Sequence, residues 1–177
     1  MDWRNGPDHI GAVTRFLHWT MAFLLLAQLP LGWWIARMPP ALDSLWLFGV
    51  HKTLGFCLLS LVVLRVLWHL ATPVPRPLGA DGPARRAARG MHLTLYALLL
   101  GEPLAGWVAS SATGIDSLIF GRLVLPPIAP ASEVWSDVGF VVHAWLAWAL
   151  AVLVGGHAAA AVLRHDGTLR RMIRGRP

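Results

Sequence analysis

Four apolar stretches, each about as long as a bilayer core is thick, limit what this chain can fold into: Leu17 to Ile35, Leu45 to Leu70, Leu93 to Ala112 and Val138 to Leu163. A hydrocarbon core of about 30 Å takes roughly 20 residues of helix to cross, and a helix satisfies its own backbone polar groups without water. The expected fold class is all-α, an integral membrane four-helix bundle forming a single domain over 1–177. Composition agrees, because 56% hydrophobic and 14% charged residues lie outside the usual range of a soluble domain. The first stretch exceeds the roughly 7 to 15 apolar residues of a signal-peptide core, and Ile35 to Pro40 offers no small-x-small cleavage site, so it reads as a helix of the mature chain.

A net charge of +6 would suit a nucleic-acid binder, but the distribution of the fifteen basic residues argues otherwise. Eleven fall on one side of a four-span topology: Arg4 and Arg15 before or at the first span, Arg76, Arg85, Arg86 and Arg89 in the second connection, and Arg164, Arg170, Arg171, Arg174 and Arg176 in the tail. Basic residues beside spans accumulate on the cytoplasmic side, so both termini are expected to be cytoplasmic. No nucleic-acid motif accompanies the charge, and no nucleic-acid partner is expected.

The second connection, Ala71 to Gly90, carries Pro73, Pro75, Pro77 and Pro83 with four arginines and reads as an extended, solvated loop between two helical hairpins. The third, Ile115 to Ile128, is too short to span and too apolar for water, and is expected to cap the outer end of the bundle. Trp19, Trp33, Trp34, Trp46, Trp68 and Trp135 lie near span ends, as interfacial belts do. No repeat or low-complexity tract is evident.

Eight histidines are many for so apolar a chain, and an ionisable group within a membrane is expensive enough to be a functional candidate by default. His143 and His157 share the fourth span. Their separation of fourteen residues turns a helix by about 1400°, some 40° short of four full turns, and advances it about 21 Å. Both rings therefore face one way at two depths. The first span offers His18 at the cytoplasmic depth and the second offers His51 at the outer depth, giving the pairs His18 with His157 and His51 with His143. Two stacked histidine pairs in a bundle suit iron held above and below a haem plane. With no C-x-x-C-H sequence and one cysteine, Cys57, the haem would be non-covalent haem b. Gly55, Gly155 and Gly156 lie beside these ligands and would leave clearance for a flat ring. His9, His69, His92 and His165 read as interface residues, with His69 and His92 the competing ligands on the cytoplasmic side. A di-iron site would need several carboxylates, and Glu102 is the one acid within a span.

These features resemble the bacterial cytochrome b561 family over about His9 to Arg174. The resemblance rests on Arg15 with His18-Trp19, His51-Lys52-Thr53-Leu54-Gly55, Phe120-Gly121 with Leu125-Pro126, His143, Gly156-His157-Ala158-Ala159-Ala160, and the tail Asp166 to Met172. It implies a diheme inner-membrane cytochrome with the same four ligands, exchanging electrons with ubiquinone. Members include a superoxide oxidase, and on that reading Lys52 and Arg122 are the candidates to steer the anion. Arg15, Arg164 and His165 are the candidates for quinone or haem-propionate contacts. The resemblance leaves open whether the chain is a superoxide:ubiquinone oxidoreductase or a membrane subunit relaying electrons for a partner dehydrogenase or hydrogenase. From the residues alone, a haem-free transporter or scaffold bundle is a third reading. Glu102, followed by Pro103, departs from the family pattern.

Overall fold

A computed structural model describes residues 2–39, 41–78 and 82–176. Four long helices are joined as two hairpins: α1 (Ala12–Ile35) with α2 (Leu45–Ala71), and α3 (Pro83–Ala112) with α4 (Glu133–Leu163). All four are long and apolar enough to cross a membrane. Their outward faces are as apolar as their inward ones. Phe23, Leu67, Leu93, Trp145 and Val152 are all more than half exposed in the isolated chain, as expected of a bundle whose outer solvent is lipid.

The helix ends follow from local chemistry. Ser132 caps α4 by accepting the Trp135 backbone N–H at 3.4 Å. Thr72, ahead of Pro73, turns extended and stops α2. The third helix begins ten residues before the apolar run, because Pro83 supplies the preset φ of a first-turn residue. The expectation of an extended connection up to Gly90 is thereby corrected: residues 73–78 are irregular, 79–81 lie outside the described residues, and the arginine-rich remainder is helical.

The third connection contains a feature absent from the all-α expectation. Strands β1 (Ser117–Ile119) and β2 (Leu123–Leu125) pair antiparallel. Phe120 and Gly121 turn the chain with φ of 52° and 66°, a conformation that glycine adopts without cost and phenylalanine rarely does. The Phe120 N–H donates to Thr53 Oγ1 at 3.0 Å, and Lys52 Nζ donates to Ser117 Oγ at 3.2 Å. The hairpin is thus fastened to α2 beside His51 and closes that end of the bundle.

At the opposite end three segments are tied together. Ile10 N–H donates to Gly175 O, Arg76 N–H to Pro7 O, and the guanidinium of buried Arg171 to both Arg76 O and Pro7 O. Both terminal segments and the α2–α3 connection therefore share one end, with the short helix α5 (Thr168–Arg174) packed among them.

The core lies between these ends. Met21, Leu25, Leu58, Val62, Leu95 and Leu150 form one buried cluster. Leu150 is midway along α4 between His143 and His157, so the cluster separates two polar levels. The same positions reveal an internal correspondence that the sequence reading missed. An offset of 74 residues carries His18, Met21, Leu25, Gln28, Gly32 and Trp33 of α1 onto His92, Leu95, Leu99, Glu102, Gly106 and Trp107 of α3. An offset of 92 carries His51, Leu58, Val62 and Arg65 of α2 onto His143, Leu150, Val154 and His157 of α4. The two hairpins present equivalent positions to one shared core.

Candidate functional site

At the hairpin end, His51 of α2 and His143 of α4 face each other with ring centres 6.0 Å apart. Each ring rests on a glycine of the neighbouring helix. A Cβ at Gly32 would lie 2.9 Å from His51 Cε1, and one at Gly106 would lie 2.9 Å from His143 Cε1 and Nδ1. One turn earlier on each supporting helix stands a longer polar side chain. Gln28 Nε2 donates to His51 O at 3.0 Å. His143 Nδ1 is 3.0 Å from Glu102 O and 3.2 Å from Glu102 Oε1. A polar residue four before a glycine-tryptophan pair, in Gln28-x-x-x-Gly32-Trp33 and Glu102-x-x-x-Gly106-Trp107, is the sequence signal that identifies these supports.

At the terminal end, His18 of α1 and His157 of α4 have ring centres 6.2 Å apart. The structure thus brings together both histidine pairs expected from spacing. His92 joins the second: its ring centre is 5.3 Å from that of His157, so it is a neighbour of the site rather than an interface residue at the start of α3. His18 and His157 are half-buried and His92 is exposed. Arg65 donates from Nε to Tyr96 Oη at 2.8 Å, and His69 Nδ1 lies 2.9 Å from Arg65 O with its ring 6.2 Å from Tyr96. Through the correspondence between hairpins, Arg65 occupies on α2 the position of His157 on α4.

Two imidazoles bound to one metal from opposite sides, with metal–nitrogen bonds of about 2 Å, have ring centres about 6 Å apart. The separations of 6.0 and 6.2 Å match that value and each other. His51 Nδ1 is buried without a hydrogen-bond partner, while Nε2 lies 3.4 Å from Gln28 Nε2, so one ring nitrogen is left for another group. Gly155 has no atom within 4 Å of where a Cβ would stand, and Gly156 would meet only the tip of Met91. These two glycines do not serve helix packing as Gly139 does, where a Cβ would come within 2.8 Å of Ala109 Cβ. Gly156, one residue before His157, leaves room beside it, whereas Gly155, about 200° round the helix from His157, faces outward. Gly55 differs, since its Cβ would touch Gln28 Nε2 at 3.4 Å. The residues present fit haem at both levels.

The remaining candidates divide between the two ends. Lys52 and Arg122 share the hairpin end, the first buttressing β1 and the second exposed just after the turn. Arg15 Nη1 donates to Ile173 O at 2.8 Å, holding α5 against α1. Arg164 pairs with Asp166, whose carboxyl is held below the usual carboxylate range chiefly by the Thr168 hydroxyl. His165 is exposed. Of the six tryptophans expected in interfacial belts, Trp33, Trp34, Trp46 and Trp135 are more than half exposed. Trp19 and Trp68 instead donate inward, to Met172 O and Thr14 Oγ1.

The chain is similar to known membrane cytochromes. A family model described as prokaryotic cytochrome b561 matches residues 9–175. Cytochrome b561 homolog 2 of Escherichia coli (strain K12) is 32% identical over 181 aligned positions, covering 98% of this chain and 95% of that protein. A probable superoxide oxidase, CybB, of Yersinia pestis is 27% identical over 165 positions, covering 89% and 91% respectively.

Proposed function

The chain belongs to the prokaryotic cytochrome b561 family, bacterial membrane cytochromes that bind b-type haem, and from that premise we propose that it is a diheme electron carrier linking a one-electron donor to ubiquinone in the inner membrane. The observation that carries the proposal is the pair of opposed histidine couples, His51 with His143 and His18 with His157, at nearly equal ring separations on two levels about 21 Å apart along α4. His157 pairs with His18 in preference to His92, because 5.3 Å is tighter than the spacing of two imidazoles about one metal and His92 is exposed.

When bound, haem supplies the one-electron redox chemistry; the protein supplies ligation, orientation and the local electrostatics. Each pair holds two imidazoles facing a common centre, the apolar cluster around Leu58 and Leu150 keeps water from between the levels, and the glycines beside the rings give clearance. The arginine-rich terminal end lies in the cytoplasm, by the preference of basic flanks for that side, and the β-hairpin faces the periplasm.

The donor proposed is superoxide. One relative is a probable superoxide oxidase, and Lys52 and Arg122 put two cations at the hairpin end, where the anion would arrive. Ubiquinone reduction takes up protons, which suits a site near the cytoplasmic level, where Arg15 and His165 lie. Purified protein in liposomes should reduce ubiquinone when superoxide is generated, with catalase present to remove peroxide. A rate no greater than that of haem-free liposomes would refute superoxide as the donor and leave a relay subunit for a partner dehydrogenase as the better account.

A further inference from the structure

The two hairpins support the His51–His143 level with matching glycines and tryptophans, Gly32-Trp33 and Gly106-Trp107, but with different polar side chains one turn earlier: α1 offers the neutral amide of Gln28 where α3 offers the carboxyl of Glu102. We propose that Glu102 is a positioning residue for His143, and that it makes the two imidazoles of this centre chemically unequal and lowers the reduction potential of the haem they hold. The proposal rests on the reading of His51 and His143 as a ligand pair.

The geometry is specific. His143 Nδ1 has both the backbone carbonyl and the Oε1 of Glu102 within reach, at 3.0 and 3.2 Å. A nitrogen facing two acceptors carries the hydrogen, so Nδ1 is the donor and Nε2 keeps the lone pair that a metal requires. The arrangement is that of a histidine held by a carboxylate, which fixes the tautomer and raises the basicity of the ligating nitrogen. A more basic ligand favours the oxidised iron, hence the lower potential. The Glu102 side chain is 13% exposed and that of His143 21%, so bulk water does not screen their contact. Among the described residues no lysine or arginine is within ion-pair distance of Glu102, and its carboxyl faces the His143 ring. Gly106 completes the support, since a side chain there would push the ring away from the carboxyl.

On the other side of the centre the contact is different in kind. Gln28 donates its amide to the His51 backbone carbonyl, and its own Oε1 and His51 Nδ1 are both buried without partners. The Gln28 amide also lies 3.4 Å from His51 Nε2, so the group facing the His51 ring is an N–H donor where the one facing His143 is a carboxyl acceptor.

Redox titration of the purified holoprotein, followed in the haem absorption bands, tests this with Glu102→Gln and Glu102→Asp. Glu102→Gln gives α3 the side chain that α1 has. It should keep two haems and raise the potential of one of them, leaving the other where it was, and Glu102→Asp should return that potential part of the way. An unchanged pair of potentials in Glu102→Gln would overturn the proposal, as would equal shifts of both haems. Loss of one haem in Glu102→Gln but not in Glu102→Asp would support it, whereas loss in both would assign Glu102 to folding alone. The ligand reading fails separately, if His143→Ala retains both haems.

Discussion

The rings of His51 and His143 face each other 6.0 Å apart although 91 residues intervene between them in the chain. Only the folding of two hairpins about one core brings them together. The same fold sets His18 opposite His157 at the other end, so each pair takes one residue from each hairpin.

Removing one ligand should therefore remove one haem. His51→Ala or His143→Ala should empty the hairpin-end site and largely spare the other, and His18→Ala or His157→Ala should do the reverse, because about 21 Å separates the levels. Haem content and the surviving absorption band check this. If His18 and His51 variants lost the same haem, the pairing would be wrong.

His92 stands closer to His157 than His18 does, which makes it the sharpest control. His92→Ala should keep two haems with unchanged low-spin spectra. Loss of the terminal-end haem would promote His92 to ligand in place of His18.

Much of this was legible in one dimension. The spans announce themselves through apolar length, and His18, His51, His143 and His157 stand out as polar groups in apolar runs at helical spacing. The start of α3 did not, because Arg85, Arg86 and Arg89 read as solvated loop while the helical signal resided in Pro83 and the alanines around them. The correspondence between hairpins was hidden because equivalent positions hold different residues: Arg65 matches His157 and Gln28 matches Glu102. Gly32 and Gly106 acquire meaning only once a histidine ring is seen against them.

Glycines near the rings should separate cofactor clearance from protein packing. Gly106→Ala forces a Cβ into the His143 ring, an overpacking that costs about 1–3 kcal/mol, and should weaken haem retention at the hairpin end roughly tenfold or more. Gly156→Leu meets only the tip of Met91, at 3.8 Å from the first added carbon, and should leave helix content and thermal unfolding of the apoprotein nearly unchanged. It should nevertheless reduce haem at the terminal-end site. Full haem content in Gly156→Leu would show that this space is not used by the cofactor.

If superoxide is the donor, its approach depends on short-range attraction at the hairpin end. Reversing the charge of Lys52 and Arg122 together should slow superoxide-driven haem reduction several-fold and flatten its dependence on ionic strength, as removal of steering charges does. Haem content should not change, and reduction by a neutral quinol should be nearly unaffected. Equal slowing of both donors would point to damage at the haem rather than lost steering.

The central claim, two haems on two histidine pairs, is tested most directly by the ratio of extractable haem to polypeptide after full reconstitution. Acid acetone should remove all of it, since nothing in the sequence binds haem covalently. The account predicts a ratio near two with low-spin spectra, because two axial imidazoles leave the iron no open position. A ratio that saturates near one would contradict it.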